Sequence, residues 1–207
     1  MQTTVVDHPL ARQALTTLRD VDTDRTRFRH AMDDLAGLLV YEATRSLRTE
    51  VVRVTTPLAE TEGLKVAEPP IIVPILRAGL GLLGGVLRVL PDAPTGFIGV
   101  ARNEETLQPE PYMNSVPADL GGRDALVLDP MLATGGSLIH ACSLLRDRNP
   151  GRLTCVCVLA APEGVTALER SGLADELVVA SVDHHLNEVA YIVPGLGDAG
   201  DRLYGTA

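Results

Sequence analysis

Residues 126–137 read LVLDPMLATGGS, and this stretch decides the fold class. A short apolar run ends in Asp129, two adjacent glycines follow at Gly135 and Gly136, and a helical pattern begins after them. A run that is apolar throughout, without alternation, is typical of a strand that helices cover on both faces. The stretch therefore predicts a buried strand, a tight turn and a helix in succession.

Four further apolar runs have the same character. The five predicted strands lie at 71–76, 96–101, 125–129, 153–160 and 176–182, with predicted helices at 79–90, 136–148 and 163–171. This alternation predicts an α/β fold, a parallel sheet with helices on both faces. Because ligands of such sheets bind beyond the carboxyl ends of the strands, the residues that follow each run are the candidate site.

The first 70 residues show a different pattern. Apolar positions spaced by three or four predict helices at 10–18 and 23–47, the second with Asp22 or Thr23 as N-cap, and residues 57–70 predict a loop. A chain of 207 residues is expected to form a single domain. Its parts are N-terminal helices and connecting loop (1–70), α/β core (71–182) and C-terminal segment (183–207).

The composition excludes several classes of protein. A net charge of −9 does not suit a general nucleic-acid binder, which needs a basic face. Three cysteines are an odd number and exclude a disulfide framework. No apolar stretch approaches the roughly 18 residues of a membrane span, so we expect a soluble, cytoplasmic protein with no membrane partner. Lys65 is the only lysine, so an anion site must rely on arginine and backbone N–H groups.

The turn at 133–137 has the chemistry of a phosphate site. Its glycines let the backbone approach a ligand, and the amides from Thr134 to Ser137 point outward at a helix N-terminus, where the helix dipole favours an anion. Thr134 and Ser137 add hydroxyl donors, and Asp129 suits the hydroxyls of an attached sugar. The alternative is an ordinary strand–turn–helix joint with Ser137 as N-cap.

Two arginines follow two other predicted strands. Arg77 comes after the strand at 71–76, and Arg102 comes after the strand at 96–101. Together they make a bidentate clamp for a second polyanion plausible; the alternative for each is a solvated arginine or a surface ion pair. Residues 103–117 carry three prolines and several acids, and they predict a long hairpin or mobile flap.

Two glycine patterns need separate interpretation. Residues 195–200, GLGDAG, indicate a tightly turned loop whose backbone can approach a small planar ligand. Residues 79–84, GLGLLG, follow a strand and open a helix, which leaves a nicotinamide-dependent oxidoreductase as an alternative. A P-loop is excluded, because no glycine-lysine-serine/threonine sequence exists.

Taken together, these segments resemble the uracil phosphoribosyltransferases, within the type I phosphoribosyltransferase fold. The resemblance covers nearly the whole chain and rests on HPL at 8–10, LLVYEATR at 38–45, VPILRAGLG at 73–81, RNEETLQPEPY at 102–112, DPMLATGGS at 129–137, AAPEGV at 160–165 and YIVPGLGDAGDRLYGT at 191–206. The Asp-Pro pair at 129–130, where the wider fold usually has two acids, looks like the uracil branch in particular.

The resemblance implies the conversion of uracil and 5-phosphoribosyl-1-diphosphate (PRPP) to UMP and diphosphate in pyrimidine salvage. The implied catalytic residues are Arg77, Arg102 and Asp198. The implied PRPP-binding residues are these three with Asp129, Pro130, Met131, Leu132, Ala133, Thr134, Gly135, Gly136 and Ser137. The implied uracil-binding residues are Ile192, Gly197, Asp198 and Ala199.

The resemblance also implies partners and a metal. Mg²⁺ enters as its complex with PRPP, with no direct protein ligand and Asp198 reaching it through water. Some family members are activated by GTP, and members assemble as dimers or larger homo-oligomers, for which the N-terminal helical segment is a candidate interface. A phosphoribosyltransferase for another nucleobase and a non-catalytic binding module are the remaining alternatives.

Overall fold

A mixed sheet of eight strands organises the protein, for which a computed structural model describes residues 1–102 and 109–205. The strands are β1 (Gln2–Val5), β2 (Thr49–Thr55), β3 (Glu60–Val66), β4 (Ile71–Leu76), β5 (Ile98–Arg102), β6 (Pro109–Asn114), β7 (Ala125–Leu128), β8 (Met131–Leu132), β9 (Leu153–Ala160), β10 (Glu176–Val182), β11 (His185–Leu186) and β12 (Ile192–Val193). The helices are α1 (Pro9–Arg19), α2 (Arg25–Ala43), α3 (Leu80–Val89), α4 (Gly136–Arg146), α5 (Pro162–Ser171) and α6 (Ala199–Tyr204).

The main sheet has the order β1-β10-β9-β7-β4-β5-β6, with β8 beside β9. All of its pairs are parallel except the antiparallel pair of β5 and β6. The register sets Val73 beside Val127 and Leu76 beside Gly99, so β4, β5 and β7 end at one edge. The predicted parallel α/β fold is confirmed, and β4, β9 and β10 have the predicted bounds.

The central strands are apolar throughout because both faces are covered. All eight residues of β9 are buried, and their side chains alternate between two cores. Val156 and Val158 pack in the core that α1, α2, α3 and α6 cover, whereas Cys155 and Cys157 pack in the core under α4 and α5. Each fully buried aliphatic side chain contributes about 1.5–3 kcal/mol, so the two cores hold the sheet from both sides.

Three expectations for the N-terminal part were wrong. Residues 2–5 form an edge strand that pairs with β10, and residues 49–66 form the antiparallel hairpin β2–β3 where a loop was expected over 57–70. The second helix begins later and ends earlier than predicted. Its N-cap is Asp24, whose Oδ1 accepts the N–H of Arg27 at 2.9 Å.

The segment 103–117 was predicted to form a hairpin or flap. Strand β6 pairs antiparallel with β5, from Ile98 opposite Asn114 to Arg102 opposite Pro109, which confirms a hairpin. The predicted flap falls largely on residues 103–108, which lie outside the described residues. Among the helices described, none combines the length and apolar character needed to cross a bilayer.

Helices α2 and α3 pack closely through glycines, and this contact yields a prediction. A Cβ on Gly85 would overlap the carbonyl oxygen of Asp33 and lie 2.8 Å from the Cβ of Ala36, whereas a Cβ on Gly37 would meet nothing closer than 3.8 Å. We expect Gly85→Ala to lower the free energy of unfolding by about 1–3 kcal/mol through overpacking. The matched Gly37→Ala is expected to raise it by up to about 1 kcal/mol through helix propensity.

Urea denaturation of the two variants and the wild type measures both changes. A Gly85→Ala protein as stable as the Gly37→Ala protein would contradict the close α2–α3 contact.

Candidate active site

The loop after β7 is anchored on the neighbouring strand β9. The carbonyl oxygen of Pro130 accepts the N–H groups of Val158 and Leu159, both at 3.0 Å, and that of Leu132 accepts the N–H of Ala161 at 2.9 Å. Leu132 is also 1% exposed. Two of the residues predicted to bind PRPP, Pro130 and Leu132, therefore serve first to fix the loop on the sheet.

The glycine turn of this loop opens α4. Gly135 has a φ of +88°, a conformation that favours glycine, and it is the N-cap of α4, so the alternative of Ser137 as N-cap is wrong. Thr134, Gly136 and Ser137 are exposed there. The first N–H groups of a helix have no intrahelical partner, so this turn presents backbone and hydroxyl donors to an anion.

The turn rests on the start of α5. A Cβ on Gly164 would overlap the carbonyl oxygen of Ala133 and lie 2.7 Å from that of Leu132. A Cβ on Gly135 would in turn lie 3.4 Å from the carbonyl oxygen of Gly164. The glycine of AAPEGV thus has a steric reason, because only a residue without a side chain lets α5 support the loop at this distance.

Asp129 is a carboxyl group without a cationic partner among the described residues. It lies directly after β7, is half-buried, and its Oδ1 accepts the N–H of Met131 at 3.3 Å. Burial raises the pKa of Asp129 to about 7, against the smaller lowering by that hydrogen bond. Hydroxyl groups of a bound sugar would supply the donors that this carboxylate lacks.

Arg77 lies at the end of β4, directly after the cis Leu76–Arg77 peptide bond. Its side chain is exposed and makes no ion pair within the described residues, so the alternative of a surface ion pair finds no support there. A Cβ on Gly79 would lie 2.6 Å from the carbonyl oxygen of Ile75, which packs this turn tightly against the sheet. The backbone of Arg102 ends β5, the next strand at the same edge.

The loop after β7 and the C-terminal segment share one cavity of about 320 Å³. The cavity is lined by Met131, Ala133, Thr134, Val189, Ala190, Tyr191, Ile192, Gly197, Asp198 and Ala199. The structure therefore brings together the predicted phosphate loop and all four residues predicted to bind uracil. Asp129, Arg77 and the helical end of the phosphate turn lie outside this described lining.

Three lining residues were missed by the sequence analysis. Val189, Ala190 and Tyr191 connect the two-residue strands β11 and β12, and Ala190 has a φ of +64°. The side-chain oxygen of Asn187 accepts the N–H groups of Val189 at 3.1 Å and Tyr191 at 2.8 Å. Strands this short give little periodicity, and the asparagine before the turn was the only available signal.

Asp198 has a structural role beside its place in the cavity. It is the N-cap of α6, and its Oδ1 accepts the N–H of Asp201 at 2.9 Å. The C-terminal helix also reaches the strand-end loop of β4, because the hydroxyl of Tyr204 donates to the carbonyl oxygen of Arg77 at 3.3 Å. Among the described residues, no group of three or more His, Cys, Asp or Glu side chains is arranged to hold a metal ion.

Comparison with known proteins matches the whole chain to one family. The family model described as uracil phosphoribosyltransferase matches residues 5–206. Uracil phosphoribosyltransferases of Streptomyces griseus and Corynebacterium diphtheriae are 56% and 55% identical, over 100% and 99% of this chain and 100% and 97% of theirs. The chain belongs to the uracil phosphoribosyltransferase family.

Solved structures agree with this membership. The AQ2163 protein of Aquifex aeolicus has a TM-score of 0.94 at 40% identity, over 100% of this chain and 99% of its own. A hypoxanthine-guanine phosphoribosyltransferase of Bacillus anthracis has a TM-score of 0.51 at 13% identity, over 75% of this chain and 80% of its own, and shows the fold alone. The resemblance seen in the sequence is confirmed, and with it the class of enzyme, a pentosyltransferase.

The glycines of GLGLLG have packing roles. A Cβ on Gly81 would overlap the side chain of Leu203 in α6, and one on Gly84 would lie 2.9 Å from Oδ1 of Asp33. These glycines bring α3 close to α6 and α2, so the pattern needs no dinucleotide to explain it. With the family established, the oxidoreductase alternative is wrong.

The raised pKa of Asp129 predicts a pH dependence of stability. Because the folded protein holds a proton that the unfolded chain releases near its usual value of 3.8, stability falls as the pH rises from about 4 to about 7. Asp129→Asn keeps an acceptor for Met131 and removes the charge. The variant is therefore expected to gain stability over the wild type across this range, by at most about 4 kcal/mol.

Denaturation midpoints of both proteins between pH 4 and pH 8 measure this difference. Curves that run parallel over the whole range would show that Asp129 ionises as it does in the unfolded chain.

Proposed function

We propose that the protein transfers the 5-phosphoribosyl group of PRPP to N1 of uracil, with UMP and diphosphate as products. The bond between C1 of the ribose and the diphosphate oxygen breaks, the bond from C1 to N1 forms, and N1 loses its proton. The single observation that carries the proposal is the shared cavity, in which the phosphate loop faces the residues predicted to bind uracil.

The strand-end residues divide the binding of PRPP among them. The turn at 133–137 would hold the 5′-phosphate with N–H and hydroxyl groups at the start of α4, and Asp129 would accept the ribose hydroxyls. Arg77 and Arg102 would bind the diphosphate and stabilise its growing charge as the bond to C1 breaks. In this family the transition state is expected to resemble an oxocarbenium ion, so positioning and stabilisation of the leaving group supply most of the acceleration.

The metal belongs to the substrate in this proposal. Mg²⁺ arrives bound to PRPP, orients the diphosphate and neutralises part of its charge. Asp198 faces the same cavity and would contact this complex through water. Its carboxylate would also help to generate the uracil anion by favouring loss of the N1 proton.

Backbone groups would read the base. Ile192 and the stretch from Gly197 to Ala199 line the cavity, and their N–H and carbonyl groups match the alternating carbonyl and N–H edge of uracil. The exocyclic amine of cytosine would set a donor against a donor. A buried polar group left without a partner costs about 1–3 kcal/mol, which is enough to favour uracil strongly.

The direct test is the formation of UMP from uracil and Mg-PRPP, with cytosine, hypoxanthine and orotate in parallel. We expect a nucleotide product with uracil alone. Product with a purine instead would favour the alternative of another nucleobase, and folded protein that is inactive with every base would favour a binding module that keeps the phosphate loop.

The dual position of Asp198 makes one substitution especially informative. Asparagine is as good an N-cap as aspartate, so Asp198→Asn keeps the start of α6 and removes the charge. We expect turnover to fall about 100-fold or more, in line with the contribution of a proton-transferring group, with an unchanged melting temperature. The matched control is Asp24→Asn at the N-cap of α2, remote from the cavity, for which we expect normal turnover.

Steady-state kinetics and thermal melts of both variants give the comparison. Normal turnover and normal substrate affinity in Asp198→Asn would exclude both roles proposed for this carboxylate.

We also propose that the protein is a homo-oligomer and that residues 1–207 form one catalytic unit. The apolar side of α2 packs inside the protomer, where Phe28, Met32 and Leu35 are fully buried. The exposed apolar surface lies on the hairpin β2–β3, where Val51 and Leu64 stand opposite each other and are 63% and 71% exposed. The hairpin, more than α2, is therefore our candidate interface.

Sedimentation velocity tests this assembly. We expect the wild type to be a dimer or larger at micromolar concentration, and Leu64→Lys to reduce its mean mass. Val21→Lys, at a loop position that is 88% exposed, is the matched control and should leave the mass unchanged. A monomeric wild type would contradict the proposal.

Activation by GTP and a cytoplasmic location complete the set of properties that the family resemblance implies. Both stay predictions, and assays of UMP formation with and without GTP address the first.

A further inference from the structure

The base loop, residues 195–199, is held from behind by two arginines. This matters if the loop reads uracil with its backbone, as proposed above, because a hydrogen bond weakens steeply when its angle or distance departs from the optimum. A backbone recognition site therefore needs a rigid support. The inference that follows rests on the proposed function and concerns how that support is built.

The first arginine is Arg19, the last residue of α1. Its guanidinium donates to both carboxylate oxygens of Asp183, at 2.7 and 2.5 Å, and to the carbonyl oxygen of Gly195 at 2.8 Å. Asp183 also accepts the N–H of Gly195 at 2.9 Å and the hydroxyl of Ser181 at 3.0 Å. Both backbone polar groups of Gly195 are thus fixed by one ion pair.

That ion pair is well shielded from water. The side chains of Arg19 and Asp183 are 26% and 2% exposed. Burial by itself would raise the pKa of Asp183, but the hydrogen bonds from Arg19, Gly195 and Ser181 outweigh it and the pKa is lowered. The carboxylate is therefore charged at neutral pH, and the pair is a permanent link between α1 and the base loop.

The second arginine is Arg202 in α6. Its guanidinium donates to the carbonyl oxygen of Leu196 at 2.9 Å, to that of Asp20 at 2.6 Å and to that of Leu18. It also lies over the ring of Phe28, 4.3 Å from the ring centre. The carbonyl groups at the end of a helix carry partial negative charge, so the C-terminus of α1 is a suitable anchor for this cation.

The two arginines act on consecutive residues. Arg19 binds the carbonyl of Gly195 and Arg202 binds the carbonyl of Leu196, and Gly197 with the rest of the predicted uracil contact follows directly. Both arginines connect the loop to the same place, the C-terminus of α1. Neither is among the described residues that line the cavity.

We propose that Arg19 and Arg202 are positioning residues that set the base-binding backbone, and thereby the affinity for uracil and its discrimination from cytosine, without touching substrate. Their effect on the phosphate loop is small, because that loop is anchored separately on β9 and α5. The N-terminal helix α1 thus belongs to the base-recognition apparatus.

The test compares Arg19→Lys and Arg202→Lys with Arg12→Lys. Lysine keeps the charge but cannot make the several directed contacts of a guanidinium. Arg12 is on the same helix, in an exposed ion pair with Asp7, and is the matched control. We expect each clamp variant to raise KM for uracil about 10-fold or more and to lower the uracil-to-cytosine preference, with KM for PRPP changed less than about twofold. Arg12→Lys should resemble the wild type.

The pattern of constants separates the outcomes. Equal changes in both KM values, or a lower melting temperature with both KM values unchanged, would overturn the proposal, since a purely structural role predicts them. Should Arg19→Lys fail to fold, Arg202→Lys and Ser181→Ala decide, because both keep the pair of Arg19 and Asp183. A wild type that forms no UMP would instead refute the proposed function itself.

Discussion

The parallel register of β9, β7, β4 and β5 is the constraint on which the rest of the structure depends. It aligns the carboxyl ends of β7 and β4, so that Asp129 and Arg77 emerge at one edge without any direct contact between them. The register is held by strands that are buried on both faces, and a shift by one residue would exchange the two cores. The positions of the PRPP-binding residues are therefore set by packing far from the substrate.

The site combines two supports of different kinds. Main-chain hydrogen bonds to β9 and close glycine packing on α5 fix the phosphate side, and no charged side chain takes part in that support. The base side is supported by the guanidinium groups of Arg19 and Arg202 on carbonyl groups. A common phosphoribosyl-binding half can thus be joined to a separately anchored base-binding half, which agrees with the fold likeness to a purine enzyme at only 13% identity.

The sequence predicted most of the core and of the phosphate side, because buried parallel strands and a glycine turn leave strong local signals. It predicted little of what long-range contacts decide. Strand β1 is exposed and short, and its pairing with β10 depends on residues more than 170 positions away. The link of Arg19 to Asp183 spans 164 positions, and no local pattern marks either residue as a partner. The hairpin β2–β3 lacks a buried face, so its pattern resembles that of a loop.

The most direct measurement of the central claim is a crystal structure with UMP bound. The account predicts the phosphate within hydrogen-bond distance of the N–H groups between Thr134 and Ser137, and the base against Ile192 and Gly197–Ala199. A phosphate bound elsewhere, or a base turned away from the C-terminal loop, would contradict the assignment of the cavity.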